Sequence, residues 1–146
     1  PVINVFELIA AHRETKCSVK KQKLITIANC GFPEATHNKV ALDICKCFAN
    51  KVGFQWFGGL SLGGGGAIGG RPLQELGGMV RNIVKSLDIT AEAIDKGNPI
   101  PQQAIELMEK QLIPSCLYTF MGNREWKKQA KKFGVEKQLY TKAYEI

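Results

Sequence analysis

The sequence of 146 residues has no long hydrophobic run, and it lacks the Gly-Lys-Ser/Thr triplet of the P-loop. A membrane-spanning helix needs roughly 18 apolar residues in succession, and no run approaches that length, so we expect no membrane partner. No Gly-Lys-Ser or Gly-Lys-Thr triplet occurs, which excludes the P-loop of nucleotide hydrolases. Hydrophobic residues still make up 45% of the chain, which is enough for a folded domain with a core.

Regular cysteine spacing is also missing. The five cysteines, at positions 17, 30, 45, 47 and 116, are odd in number and irregularly placed, unlike a disulfide framework. We therefore expect a reducing compartment and a cytoplasmic location. On a helix, Cys45 and Cys47 would face away from each other, so we expect no metal site. We interpret the cysteines as small buried hydrophobic residues.

The net charge of +7 is concentrated near one end of the chain. From residue 124 to residue 146, seven lysines and arginines stand against three acidic residues. Four of these lysines recur at helical spacing, which is typical of a solvated helix face: Lys127, Lys128, Lys131 and Lys132. Few aromatic residues alternate with the cations, so we expect no nucleic-acid partner. Three aromatic residues nearby are interpreted as core, with an interface or lid as the alternative: Tyr118, Phe120 and Trp126.

A strand, a helix and a second strand are predicted in the first half of the chain. Residues 24–28 form a continuous apolar, β-branched run, which is typical of a central parallel strand covered by helices on both faces. Asn38 is a suitable N-cap for a helix that Gly53 would end. A second strand follows over residues 54–62. This order predicts a βαβ unit with a right-handed crossover, and hence an α/β fold with a parallel sheet and flanking helices.

Helices are predicted on either side of this unit, over residues 2–13, 73–97, 104–113 and 123–133, the last with Asn123 as its N-cap. Two parallel strands by themselves leave unpaired edges and cannot bury both faces. We therefore expect residues 1–146 to form a single, incomplete domain, truncated at its N-terminus, that associates with itself as a homo-oligomer.

The glycine-rich run over residues 63–70 follows the second predicted strand. Gly64, Gly66 and Gly69 have the spacing of a dinucleotide fingerprint, but a run this rich in glycine satisfies many spacings by accident. Asp88 and Glu92 lie inside a predicted helix and not at a strand end, which weakens that interpretation. Contact with another ligand and a tight turn against neighbouring backbone are the alternatives.

The loop after the first predicted strand, residues 29–35, has the better position for a binding site. Ligands of open parallel sheets bind beyond the carboxyl ends of the strands, where this loop lies. Phe32 offers a flat apolar surface and Pro33 stiffens the turn. A plain connection is the alternative. A nucleophilic pair of Cys30 with His37 is a weaker one, because closeness in sequence does not give the required geometry.

Three segments together resemble the C-terminal half of flavodoxin-like NAD(P)H-dependent FMN reductases, including the iron–sulfur flavoprotein-like branch. They are LITIANCGFPEA at 24–35, FQWFGGLSLGGGGAI at 54–68 and WKKQAKKFG at 126–134. The resemblance implies a parallel sheet of strand order 2-1-3-4-5, in which the two strands here are the fourth and fifth. It also implies FMN as cofactor and NAD(P)H as reductant.

By position, the resemblance implies that one loop approaches the flavin ring and that a second loop borders the same cleft. The first consists of Asn29, Cys30, Gly31, Phe32, Pro33 and Glu34, and the second of Gly63, Gly64 and Gly65, continuing to Gly66. The family's phosphate-binding loop, rich in Gly, Ser and Thr, is not found in this sequence. The clustered cysteines of the iron–sulfur branch are not found either.

Two functions therefore stay open. The resemblance implies the C-terminal portion of an FMN-dependent NAD(P)H oxidoreductase, with catalytic residues unassigned and with an activity that this fragment alone need not retain. The alternative is a non-catalytic flavodoxin-like module for self-association or partner binding. Its basis is the unpaired sheet edge together with apolar helix faces.

Overall fold

The computed structural model describes residues 2–14, 22–142 and 144. The helices and strands, in chain order, are α1 (Val2–Glu14), β1 (Lys23–Asn29), α2 (Lys39–Val52), β2 (Gln55–Leu62), α3 (Arg81–Asp95), α4 (Gln102–Met108) and α5 (Ser115–Lys132). Short 3-10 helices cover Ala35–Asn38, Gly65–Ala67, Leu73–Val80 and Glu136–Gln138. Among the described helices, none has both the length and the apolarity needed to cross a membrane.

The chain divides into two compact units, Pro1–Leu112 and Ile113–Ile146, and the first holds both strands. A single domain over 1–146 stays a prediction. In the first unit, β1 and β2 pair in parallel, from Lys23 opposite Gln55 to Asn29 opposite Leu62. The predicted strand–helix–strand unit is confirmed, and the fold is a mixed α/β arrangement with a two-stranded parallel sheet and flanking helices.

Strand β1 is less buried than its apolar sequence predicts. Ile27, in the middle of the strand, is 58% exposed, and no β1 residue is fully buried. Helix α2 packs against β1, while the Ile27 side chain stays open to solvent in the described chain. The expectation of a strand covered on both faces is therefore wrong for this chain as described.

Helix α2 begins and ends where predicted, but its N-cap residue does not cap it through its side chain. Gly53 takes the left-handed conformation, with φ 74°, and its N–H reaches the carbonyls of Ala49 and Asn50. Asn38 occupies the N-cap position, but its side chain makes no capping hydrogen bond. The buried Asn38 amide instead reaches back to the two strands, as described below.

The core of the first unit lies between β2 and the helices that follow it. Its buried members are Leu60, Leu62, Leu76, Val80, Ile83, Ile100, Ala104 and Met108. Ser86 Oγ, on α3, donates a 2.6 Å hydrogen bond to the carbonyl of Ala104 on α4. The Ile100 N–H donates to the carbonyl of Phe57, so the segment before α4 bonds to the outer edge of β2.

Three predicted helix boundaries are wrong. The helix predicted over 73–97 is divided at Gly77, whose φ of 55° and ψ of −136° are not helical, so a 3-10 helix precedes α3. Helix α4 stops at Met108 instead of residue 113. Helix α5 starts at Ser115, directly after Pro114, which places Asn123 inside the helix and not at its N-cap. Gly134, with φ 69°, follows the helix end as predicted.

Side-chain burial corrects two further expectations. Trp126 and Phe120 are 67% and 64% exposed, and Tyr118 is also exposed, so these rings do not pack in a core. Cys45 is buried, but Cys47 and Cys116 are exposed. Cys17 lies outside the described residues. The four lysines of α5 are exposed, which confirms the predicted solvated helix face.

Candidate functional site

The carboxyl ends of the two parallel strands lie side by side. Asn29 is the last residue of β1 and stands opposite Leu62, the last residue of β2. The Cys30 N–H donates a 3.1 Å hydrogen bond to the Leu62 carbonyl, which extends the pairing by one step. Both predicted loops, 29–34 and 63–66, therefore leave the sheet at the same edge.

Backbone hydrogen bonds then join these two loops. The Gly64 N–H donates to the Phe32 carbonyl at 2.6 Å, and the Gly65 N–H donates to the Cys30 carbonyl at 3.0 Å. The structure thus brings together the residues that the sequence analysis singled out: Asn29, Cys30, Gly31, Phe32, Pro33, Glu34, Gly63, Gly64 and Gly65. We call these residues, together with the adjoining Gly66, the strand-end site.

Two glycines are required by the way the loops pack. A Cβ atom on Gly63 would overlap the Pro33 carbonyl oxygen and would lie 2.9 Å from the Ala35 nitrogen. A Cβ atom on Gly65 would overlap the Asn29 side-chain amide. The contacts at Gly63 favour the interpretation of this part of the glycine run as a tight turn against neighbouring backbone, whereas the contact at Gly65 is with a side chain.

Gly31 and Gly66, in contrast, have open space around them. Neither has a positive φ, and within the described chain no heavy atom lies within 4 Å of a Cβ built on either residue. Both residues are exposed, and both adjoin the hydrogen-bonded contact between the loops. Packing within the described chain therefore does not explain why glycine occupies these positions, whereas close approach of a ligand would.

Phe32 provides an exposed flat surface at this edge. Its side chain is 57% exposed, and its ring centroid lies 4.9 Å from that of His37 at an interplanar angle of 43°. His37 Nε2 is 3.9 Å from Glu34 Oε2, which makes an ion pair when the imidazole is protonated. The site therefore combines an apolar face with a polar rim.

The Cys30 thiol is engaged with backbone oxygens. Cys30 Sγ lies 3.5 Å from the Phe32 carbonyl and 3.6 Å from the Glu34 carbonyl, and the thiol donates toward both. These contacts close the turn, and the His37 ring instead lies beside Phe32 in a tilted arrangement. This arrangement gives no support to Cys30 and His37 as a nucleophile and its base.

The buried side-chain amide of Asn38 holds the strand ends in place. From the sequence alone, Asn38 is predicted only as a helix cap. Asn38 Nδ2 lies 2.9 Å from the Leu62 carbonyl, 3.2 Å from Ser61 Oγ and 3.3 Å from the Ala28 carbonyl. Ser61 Oγ in turn donates to the Ala35 carbonyl at 2.5 Å. This network ties both strand ends to the start of α2, and so positions the strand-end site.

A cavity of about 180 Å³ lies beside the strand ends, lined by Ala35, Thr36, Lys39, Leu42, Asp43, Ser61 and Glu109. Sites that enclose a drug-sized ligand occupy roughly 300–1,000 Å³, so this cavity is too small for a flavin. None of the strand-end site residues lines it. A planar ligand at this edge would therefore lie on the open face formed by the two loops.

The strand-end site carries no cation of its own. Neither 29–34 nor 63–66 contains lysine or arginine. The next cation after the glycine run is Arg71, whose Nε and Nη2 donate to the carbonyls of Ile68 and Ala67. The two loops therefore offer no side-chain cation to a phosphate group.

No protein-family model, curated protein or solved structure matches this chain. Within the part of the chain that the structure describes, no group of three or more His, Cys, Asp or Glu side chains is placed to hold a metal ion.

Proposed function

We propose that this chain is the C-terminal portion of a flavodoxin-like, FMN-dependent NAD(P)H oxidoreductase, and that the strand-end site receives the flavin ring. The observation that carries the proposal is the pair of backbone hydrogen bonds that join the loops after two parallel strands. Ligands of open parallel sheets bind at such an edge. The resemblance in sequence covers the same two loops.

The residues of the site would hold the ring from two sides. Phe32 gives the isoalloxazine a flat apolar surface, and stacked aromatic pairs contribute roughly 0.5–1.5 kcal/mol beyond burial. Gly31 and Gly66 let the ring approach the backbone without meeting a side chain. The hydrogen bonds at Gly64 and Gly65 fix the loops beforehand, which lowers the ordering cost of binding.

The group that does the chemistry is the cofactor. When bound, FMN accepts a hydride from the nicotinamide and passes the electrons to an acceptor, and the protein supplies orientation. Because the strand-end site has no cation, this chain would hold the ring and contribute little to holding the phosphate. We therefore expect lumiflavin, which has no phosphate chain, to bind about as tightly as FMN.

Flavin fluorescence titration tests this proposal. We expect quenching by the intact chain with similar dissociation constants for FMN and lumiflavin, and an affinity at least about threefold weaker in Phe32→Ala, because a stacking contact is lost. Phe32→Tyr should keep the affinity. Phe133→Ala, which removes a ring that is 72% exposed elsewhere, is the matched control and should leave binding unchanged. Equal binding by Phe32→Ala and the intact chain would contradict the placement of the ring.

The alternative function, a non-catalytic module for self-association, has its own support. Strand β1 has one neighbour in the described sheet, and Ile27 on it is 58% exposed. Val40 and Ile44, one turn apart on α2, are also exposed.

Sedimentation velocity tests self-association. We expect a dimer that Ile27→Lys dissociates, while Ile94→Lys on α3 leaves the dimer intact. A dimer that quenches no flavin would favour the module over the enzyme, and a well-folded monomer would exclude self-association.

A further inference from the structure

Helix α5 exposes an apolar half followed by a basic half. Leu117, Phe120 and Met121 are 46%, 64% and 53% exposed. The cations Arg124, Lys127, Lys128, Lys131 and Lys132 follow within the same helix. In a folded protein, a group of exposed large apolar side chains beside a cluster of like charges marks an interaction site.

The two halves share one helix face. Phe120, Arg124, Lys127 and Lys131 stand at positions i, i+4, i+7 and i+11, which lie along one side of a helix. A shallow concavity of about 410 Å³ connects this ring to the cations, lined by Phe120, Asn123, Arg124 and Lys127. Glu125 is the one acidic residue of α5, and its carboxylate is 3.9 Å from Lys128 Nζ. We call Leu117, Phe120, Met121, Arg124, Lys127 and Lys131 the α5 surface.

The chemistry of this surface selects among anionic partners. Nucleic-acid grooves interleave cations with aromatic faces on which bases stack. Here the apolar half contains one ring of that face, Phe120, and two flexible aliphatic chains, Leu117 and Met121, which suit hydrocarbon better than a base. Lysine stems can lie along apolar material while their ammonium groups stay at the polar headgroups.

We propose that the α5 surface binds an anionic phospholipid membrane from one side, with its apolar half at the acyl boundary and its cations among the phosphates. The sequence analysis expected no membrane partner because no segment is long enough to span a bilayer. A helix that lies in the interface needs no spanning length, since it buries its apolar side chains only about 5–10 Å deep. The proposal is independent of flavin binding.

Vesicle co-sedimentation of the full chain tests the proposal. We expect binding to phosphatidylcholine vesicles that contain phosphatidylglycerol, and roughly 100-fold weaker binding to phosphatidylcholine alone, because each of the three basic residues near an anionic surface contributes about fivefold in affinity. Lys127→Gln with Lys131→Gln should therefore weaken binding by about 25-fold. Raising the salt from about 0.1 M to about 1 M should weaken it too, since the Debye length falls from about 10 Å to about 3 Å.

Matched variants separate this surface from net charge. Lys85→Gln with Lys110→Gln removes two exposed cations from the first unit and should leave vesicle binding within about twofold. Phe120→Ala with Met121→Ala should reduce binding, while circular dichroism should confirm that α5 stays helical. The proposal is overturned if the chain does not bind anionic vesicles, or if it binds neutral vesicles equally well. It is also overturned if the Lys127/Lys131 and Lys85/Lys110 variants lose the same amount of vesicle affinity, or if the chain binds a single-stranded RNA oligonucleotide more tightly than vesicles.

Discussion

At the scale of single residues, the glycines of the strand-end site divide into two kinds. Gly63 and Gly65 face protein atoms so closely that a side chain would overlap them, whereas Gly31 and Gly66 face open space. Gly63 and Gly65 allow the two loops to pack, whereas Gly31 and Gly66 leave space that a ligand can occupy. Substitution by alanine separates the two roles.

We predict that Gly63→Ala destabilises the protein by about 1–3 kcal/mol or more, because the added methyl overlaps the Pro33 carbonyl oxygen and overpacking of this kind costs that much. Gly66→Ala should change the free energy of unfolding by less than about 0.5 kcal/mol, as at other open surface positions. Urea denaturation measures both. Equal destabilisation by the two substitutions would refute this division.

Gly66→Ala should nevertheless weaken flavin binding, and so should Gly31→Ala. At both positions the added methyl would occupy space that the ring needs. Gly78→Ala, another exposed glycine without close neighbours or positive φ, is the control and should bind flavin normally. Normal lumiflavin affinity in both Gly31→Ala and Gly66→Ala would argue that the open space is not a binding surface.

Asn38 allows a second prediction at this scale. Asn38→Asp replaces a donor by an acceptor facing the carbonyls of Ala28 and Leu62, so we expect a loss of stability of at least about 1–3 kcal/mol, which is the cost of unpaired buried polar groups. Asn50→Asp, the same change at an exposed position of α2, should have little effect. If the denaturation midpoints of Asn38→Asp and Asn50→Asp coincide, the role given to Asn38 is contradicted.

At the scale of secondary-structure elements, helix α3 contains two buried hydroxyl groups with opposite expected contributions. Ser86 Oγ donates to the Ala104 carbonyl and so connects α3 with α4. Thr90 Oγ1 is buried and has no hydrogen-bond partner in the described part of the chain. A buried polar group without a partner costs free energy, and its removal can stabilise a protein.

We predict that Ser86→Ala destabilises the protein by about 1–3 kcal/mol and that Thr90→Val is neutral or stabilising by up to about 2 kcal/mol. Both substitutions remove one hydroxyl from a buried site on the same helix, so each controls for the other. Thermal unfolding measures the difference in sign. A clear loss of stability in Thr90→Val would show that its hydroxyl has a partner.

The sequence predicted the elements best where a local signal was strong. The β-branched run before Asn29 and the glycine at position 53 placed β1 and the end of α2, because strand preference and the left-handed C-terminal turn are local properties. The break at Gly77 escaped prediction since a single glycine is tolerated within a helical pattern. Asn38 was interpreted as a cap because its real partners are distant in sequence.

The side chains of α5 show a different limit. Trp126 and Phe120 were interpreted as core because large apolar residues are usually buried, yet both are mostly exposed. Tertiary packing determines whether a helix face is covered, and residue type alone does not reveal it. The parallel order of two strands, in contrast, already implies that their following loops meet, so the strand-end site could be predicted without coordinates. The close approach of Gly63 to the Pro33 carbonyl could not be predicted from the sequence.

At the scale of the whole molecule, the main hydrophobic cluster of the described residues lies within the first of the two compact units. Its buried residues run from Leu60 to Met108, and the unit ends at Leu112. We predict that a chain ending at residue 112 unfolds cooperatively, with a free energy of unfolding within about 1 kcal/mol of that of the first unit in the full chain, because every buried residue of this cluster is retained. Urea denaturation followed by the fluorescence of Trp56 measures this. Loss of a cooperative transition would mean that the first unit needs the rest of the chain.

The arrangement at the carboxyl ends of β1 and β2 is the central claim, since the proposed flavin site depends on it. Amide hydrogen exchange of the full chain, measured with and without saturating lumiflavin, tests it most directly. We expect slower exchange at the amides of residues 30–34, except Pro33, and of residues 63–66 together when the flavin is present, and no change in α5. Protection that falls outside both loops, or in one loop alone, would contradict the account.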